Sequence, residues 1–156
     1  MAPSDFQLRS FQPDDFPSVC ELDVLCFPPA IAYEPDEIAY FLSLRGAICF
    51  VANDTEGGLI AWILGQACGK SREDSAAHVV TIDVHPDFRR RRVGEALMDR
   101  LEDEFRQRNC ARAQLEVATD NLGAQNFYER RGYQRIRTLR RYYADGSDAF
   151  RMERAL

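Results

Sequence analysis

The chain has only two histidines, His78 and His85, and five cysteines, Cys20, Cys26, Cys49, Cys68 and Cys110, odd in number, scattered and without a C-x-x-C spacing. A His-based metal site, a zinc site and a disulfide framework therefore all lack support, and the cysteines are expected to be small buried hydrophobes. No apolar run approaches the roughly 20 residues needed to span a bilayer. The start, Met1-Ala2-Pro3-Ser4-Asp5, lacks the basic and apolar regions of a signal peptide, so a cytoplasmic protein without membrane association is expected. No internal repeat, low-complexity tract or linker interrupts the 156 residues, which suit one domain, 1–156, burying roughly 70% of its unfolded surface.

What is present is an ordinary globular composition, 46% hydrophobic and 29% charged, with a net charge of −5 that is unevenly spread. Residues 1–78 carry 4 Lys and Arg against 12 Asp and Glu, and residues 79–156 carry 16 against 13. An acidic half beside a mildly basic one suggests one surface for a polyanion such as a nucleotide cofactor and another that tolerates a cationic substrate. The overall acidity disfavours general nucleic-acid binding.

Along the chain, Phe6 to Arg9 alternates as a short strand. Asp14 to Cys26 places Phe16, Val19, Leu22 and Leu25 at helical spacing, and Phe27-Pro28-Pro29 ends that helix. A second helix opens at Pro35, and between the two runs an aromatic, Pro-containing loop from Phe27 to Tyr33. Ala47 to Ala52 and Leu59 to Cys68 flank a turn-forming segment and predict a hairpin; Gly69 to Ser75 is a polar connector. His78 to Val84 predicts a strand, Arg92 to Arg108 an amphipathic helix buried through Val93, Leu97, Leu101 and Phe105, and Ala113 to Ala118 a further strand. That order is a βαβ crossover with parallel strands. Asp120-Asn121 can cap another helix stopped at Gly132, and Tyr133 to Tyr143 and Ala149 to Leu156 predict two last strands. The fold class is α+β, a mixed sheet of about seven strands flanked by about four helices.

The most informative segment joins the His78 to Val84 strand to the following helix through Arg89-Arg90-Arg91-Arg92 and then Val93-Gly94-Glu95-Ala96. A helix N-terminus offers unpaired N–H groups and the positive end of the macrodipole, and small residues at Gly94 and Ala96 let a phosphate approach the main chain. Four arginines add donor forks suited to phosphate oxygens. An arginine run is more often a solvated surface. Here the cations would repel the helix end and one another, and a bound anion relieves that conflict.

Arg91-Arg92-Val93-Gly94-Glu95-Ala96 meets the pattern Arg/Gln-x-x-Gly-x-Gly/Ala and resembles the GCN5-related N-acetyltransferase (GNAT) superfamily. Leu115-Glu116-Val117, Asn121 followed by Tyr128 to Tyr133, and Arg140 to Ala149 make the chain most similar within it to protein N-terminal acetyltransferases of the ribosomal-protein-alanine type. The resemblance is strong from His78 onward and weak before it. It implies acetyl-CoA as cofactor, its pyrophosphate held by the main chain from Arg89 through Arg90, Arg91, Arg92, Val93, Gly94 and Glu95 to Ala96, with Val84 and Asn121 on the cofactor arm. It also implies a peptide or protein N-terminus as acceptor, gripped by Tyr142 and Tyr143 with Phe27 and Tyr33.

Direct transfer from a thioester to an amine requires loss of an amine proton, stabilisation of oxyanion charge and a proton for the departing thiolate. The resemblance assigns the last proton to Tyr128, whose alternative role is a core aromatic beside Phe127. Glu116 is the candidate base, acting through water, although alternation with Leu115 and Val117 also fits a solvated strand residue. Asp83 and His85 are rivals, Asp83 on the sheet face opposite Ile82 and Val84. Acetylation of a small-molecule amine or a lysine is an alternative, because the front half sets acceptor choice. A non-catalytic module that binds CoA or a partner is another.

Overall fold

The computed structural model describes residues 5–69 and 75–156; the start 1–4 and most of the polar connector, 70–74, lie outside the described residues. Strands β1 (Phe6–Ser10), β2 (Ala47–Asp54), β3 (Leu59–Gln66), β4 (Ala76–Val84), β5 (Arg112–Ala118), β6 (Gln134–Leu139) and β7 (Ala149–Ala155) form one sheet in the order β1-β2-β3-β4-β5-β7-β6. Helices α1 (Phe16–Cys26), α2 (Pro35–Ser43), α3 (Val93–Gln107) and α4 (Leu122–Arg130) cover it. This is the α+β class with the seven strands and four helices read from the sequence. Among the described residues no helix is long and apolar enough to cross a membrane.

Two apolar layers sandwich the sheet. Val93, Leu97, Leu101 and Phe105 of α3 are buried with Ile63, Leu115 and Met152 on one side. Val19 and Leu22 of α1 and Ile38 of α2 are buried with Val51, Trp62 and Leu64 on the other. The β2–β3 turn closes as its Asp, Asn and Gly content suggests, with the Asp54 carboxylate accepting from the Gly58 N–H at 2.8 Å and Gly57 at φ +89°.

The decisive feature lies in the middle of the sheet. β4 and β5 run parallel but pair only at Ala76 with Arg112, Ala77 with Ala113 and His78 with Gln114. Beyond that point β4 stays on β3 and β5 stays on β7, so a gap opens between them. The β3–β4 register shifts where Leu64 faces Thr81 and Gly65 faces Val79, leaving Val80 as an extra residue. Such a bulge bends a strand and exchanges its faces. Before it Ala77 and Val79 pack toward α3; after it Ile82 and Val84 do, while Thr81 and Asp83 turn to the side of α1.

Three local readings need correction. The first helix is entered through a 3-10 turn, Pro13–Asp15, where Asp15 folds back onto the Gln12 N–H at 2.8 Å. The strand from Tyr133 stops at Leu139, because Arg141 takes a left-handed conformation with its N–H on the Asp148 carboxylate and Tyr143 N–H bonds Ser147 C=O. Cys68 and Cys110, expected as separate buried thiols, are joined as a disulfide. Their separation of 42 residues follows no local pattern; the end of β3 and the approach to β5 bring them together.

Candidate functional site

The gap between β4 and β5 is a cleft of about 1010 Å³ running from the start of α3 to the loops at Phe27 and Tyr142. His85 N–H bonds Ile60 C=O of β3, so by the alternation of an antiparallel ladder the main-chain groups of Ile82 and Val84 point away from β3 into the cleft. The Val84 carbonyl accepts from Arg89 Nε at 3.1 Å and Cys26 Sγ at 3.4 Å.

At the α3 end, Arg90 and Arg92 have φ of 62° and 64°, left-handed conformations that cost a residue with a Cβ about 1–3 kcal/mol and collect at ligand clamps. Arg92 is the N-cap of α3 and supplies no side-chain cap; the first intrahelical bond runs from Ala96 N–H to Arg92 C=O. Val93, Gly94 and Glu95 precede that bond and line the cleft, so their N–H groups are the donors a helix of this length leaves for an anion. A Cβ on Gly94 would lie 3.6 Å from the Phe127 ring and 3.7 Å from a Val84 methyl, so the hydrogen there keeps a narrow crevice open. Arg89, Arg90 and Arg92 line the mouth; Arg91 instead stacks on the Phe88 ring at 5.2 Å, and Ala96 sits beyond the lining. This cradle fits a diphosphate.

At the other end, α4 begins at Asn121, whose Oδ1 accepts from Ala124 N–H at 3.1 Å, a capping bond that fixes the helix beside the cleft. The helix carries Tyr128 inward, edge-on to Phe127 and Tyr133 with ring centroids 5.3 and 5.8 Å away. Among the described residues the Tyr128 hydroxyl makes no hydrogen bond, and the residue lines the cleft. Burial, then the charge of Asp83, pushes its phenol well above the usual range, so it stays a proton donor at any ordinary pH.

Glu116 is half-buried and held by its neighbours rather than freely solvated. Its carboxylate meets His78 Nε2 at 2.6 Å and Arg151 at 3.1 Å. Burial pushes its pKa up, but His78 and Arg151 outweigh burial and hold it below the ordinary carboxylate range. Tyr33, Tyr142 and Tyr143 face this carboxylate across the cleft, and each has its phenol raised by burial and then by these neighbours. Tyr142 and Tyr143 stand edge to face at 5.0 Å. Phe27 also lines the cleft.

The rival bases part company. His85 accepts from Asp87 N–H at 3.1 Å and takes no part in the lining. Asp83 lines the cleft from the face opposite Ile82 and Val84, buried, with its carboxylate accepting from Trp62 Nε1 at 2.6 Å and Thr81 Oγ1 at 3.2 Å. Sequence reading missed the flanks of Glu116, His78 and Arg151, and the position of Asp23 beneath Asp83, since all depend on pairing between distant segments. The β5–β7 register, which sets Glu116 opposite Arg151, is the only signal that could have found one of them.

Residues 16–133 match the model of the Acetyltransferase (GNAT) family. The chain is 30% identical to an N-alpha-acetyltransferase of Saccharolobus solfataricus, over 97% of this chain and 94% of that one. It is 32% identical to an N-acetyltransferase of Methanocaldococcus jannaschii, over 93% and 88%. Among solved structures it superposes on Ard1 from Thermoplasma volcanium with a TM-score of 0.85 at 29% identity, covering 97% and 98%. The ribosomal-protein-S18-alanine N-acetyltransferase from Escherichia coli gives 0.82 at 25%, covering 96% and 93%. With the parted strands, the uncapped α3 and these matches together, the chain belongs to the GNAT family of acetyltransferases.

Proposed function

We propose that this enzyme transfers acetyl from acetyl-CoA to the N-terminal α-amine of a peptide or protein, with Glu116 and Tyr128 as its catalytic residues. The observation that carries the reading is a cleft lined both by the start of α3 and by Glu116 with Tyr33, Tyr142 and Tyr143. Similarity to relatives named for N-alpha-acetylation supports the choice of acceptor.

Acetyl-CoA, when bound, supplies an activated thioester. The N–H groups at the start of α3, from Val93 to Glu95, with Arg89, Arg90 and Arg92, would hold its pyrophosphate; Arg91 and Ala96 support that turn from outside the lining. Val84 N–H, aimed into the cleft, suits the oxygen on which negative charge develops. Asn121, whose Oδ1 is committed to its cap, would offer its remaining amide to the arm of the cofactor. Tyr142, Tyr143, Tyr33 and Phe27 enclose the acceptor. Glu116, kept ionised by His78 and Arg151, would draw the amine proton away through water, and Tyr128 Oη would supply the proton that the departing thiolate needs. A strong base is unnecessary: at pH 7 roughly a tenth of α-amines are neutral, against less than about a thousandth of lysines.

The proposed setting is the cytoplasm. Reducing compartments do not keep structural disulfides, so there Cys68 and Cys110 would stand as two thiols in contact.

The test is a competition. The protein is incubated with acetyl-CoA, peptides with free N-termini, the same peptides N-blocked but containing lysine, and polyamines. Acetylation of the free N-termini is the expected result; acetylation of blocked peptides or polyamines alone overturns the acceptor assignment.

A further inference from the structure

Two aspartates meet in the interior, and among the described residues no cation is ion-paired to either. Asp23, on the buried side of α1, and Asp83, on β4 just past the bulge, are both essentially inaccessible, and their carboxyl groups lie within hydrogen-bond reach of each other. Asp83 is held on the sheet side by Trp62 and Thr81. Asp23 Oδ2 accepts from the Tyr33 N–H at 2.7 Å, which is how the loop after α1 is tied down. The remaining oxygen, Asp23 Oδ1, is buried with no donor among the described residues. Two ionised carboxylates are both acceptors only, so this contact is unsatisfied unless one of them carries a proton.

The neighbours agree. Glu37 from α2 adds negative charge to Asp23, and Cys20 and Cys26 from α1, Tyr33 from the loop and Tyr128 from α4 are the other titratable groups that feel the pair. Arg89 serves Cys26 and the Val84 carbonyl. Burial raises both aspartates above the ordinary carboxylate range, Asp83 the more strongly, as for any two carboxyls that cannot both ionise at close quarters.

We infer that Asp23 and Asp83 share one proton, and that this hydrogen bond is a latch fastening the Phe27 to Tyr33 loop to the sheet, so that the pair are positioning residues for the acceptor. The chain of contacts runs from Trp62 through Asp83 and Asp23 to the Tyr33 main chain, and from there to the Tyr33 ring facing Tyr142 and Glu116. Loss of the proton in alkali leaves two charges facing each other and loosens the loop, while the cradle at α3 is untouched. The role in acceptor positioning rests on the function proposed above; the shared proton does not.

The test therefore has two readouts. Infrared spectra of the wild-type protein at neutral pH should contain a protonated carboxyl band that vanishes in alkali and is absent from Asp83→Asn; its absence from the wild type overturns the shared proton whatever the enzyme acetylates. Kinetics on a peptide acceptor then compare Asp23→Asn, whose amide accepts from Tyr33 and donates to Asp83 at every pH, with Asp23→Ala. Relative to wild type on the same peptide, Asp23→Asn should keep the neutral-pH KM and suppress its alkaline rise, whereas Asp23→Ala should raise KM about tenfold with CoA affinity unchanged. An Asp23→Asn variant as impaired as Asp23→Ala at neutral pH overturns the latch, and it remains informative if Asp23→Ala fails to fold.

Discussion

His78 Nε2 and Glu116 Oε2 stand 2.6 Å apart at the fork where β4 leaves β5. His78 is the last β4 residue in the parallel pairing, and Glu116 lies two residues past its partner Gln114, so the contact spans the first step of the gap. The carboxylate thus stands at the root of the cleft, charged and held from two sides, rather than on a solvated strand.

Replacing Glu116 by Gln removes the charge and keeps the shape. We expect kcat for peptide acetylation to fall by about 100-fold, within the range of general-base effects, with CoA affinity by calorimetry unchanged. Undiminished turnover would remove Glu116 from the mechanism.

The ion pairs of Glu116 also predict a direction with pH. Its folded pKa is depressed, so it contributes stability that is present above the ordinary glutamate pKa of about 4.3 and is lost as pH falls toward the folded value. Arg151→Ala should shrink this acid-range loss, seen as a flatter dependence of the urea midpoint on pH below about 5. The Asp23 and Asp83 pair has the opposite sign: with raised folded values, its contribution is fully present in acid and declines as pH rises through the carboxylate range toward those values.

Tyr128→Phe deletes one hydroxyl that has no hydrogen bond among the described residues. Thermal stability should change by no more than about 0.5 kcal/mol, while kcat falls by about 100-fold or more with CoA binding retained. Full turnover in that variant would favour some other proton donor.

Gly94→Val places branches where a single Cβ already sits 3.6 Å from Phe127 and 3.7 Å from Val84. CoA affinity should weaken by at least about tenfold, measured by calorimetry, because the crevice beside the α3 donors is filled.

Away from the cleft, Glu102 on α3 is buried and ion-paired to Arg131 and, at 3.2 Å, to Arg154, and it accepts from the Tyr133 hydroxyl at 3.2 Å. Glu102→Ala takes the buried carboxylate from Arg154 and leaves Arg131 with Asp99 alone, and unfolding free energy should drop by about 3 kcal/mol in urea titrations.

Particular elements separate what was legible from what was not. The α3 helix was readable because its apolar residues recur at steps of four, and its start because four arginines run directly into Val93-Gly94. Asn121 was readable as a cap and Gly132, at φ +93°, as a stop, since both act on their own backbone. The Cys68 to Cys110 bond and the partners of Glu116 were not, because each joins segments far apart in sequence, and β6 ends early at a left-handed Arg141 that no sequence pattern announces.

The amino-acid order by itself determined the α+β class, the βαβ crossover and the basic turn that opens α3, all products of periodicity and local turn chemistry. Only the tertiary structure decided where the strands part and which face Asp83 takes, because a one-residue bulge at Val80 reverses the side chains that follow it. Side-chain alternation is written in the sequence; the register that anchors it is set by the neighbouring strand.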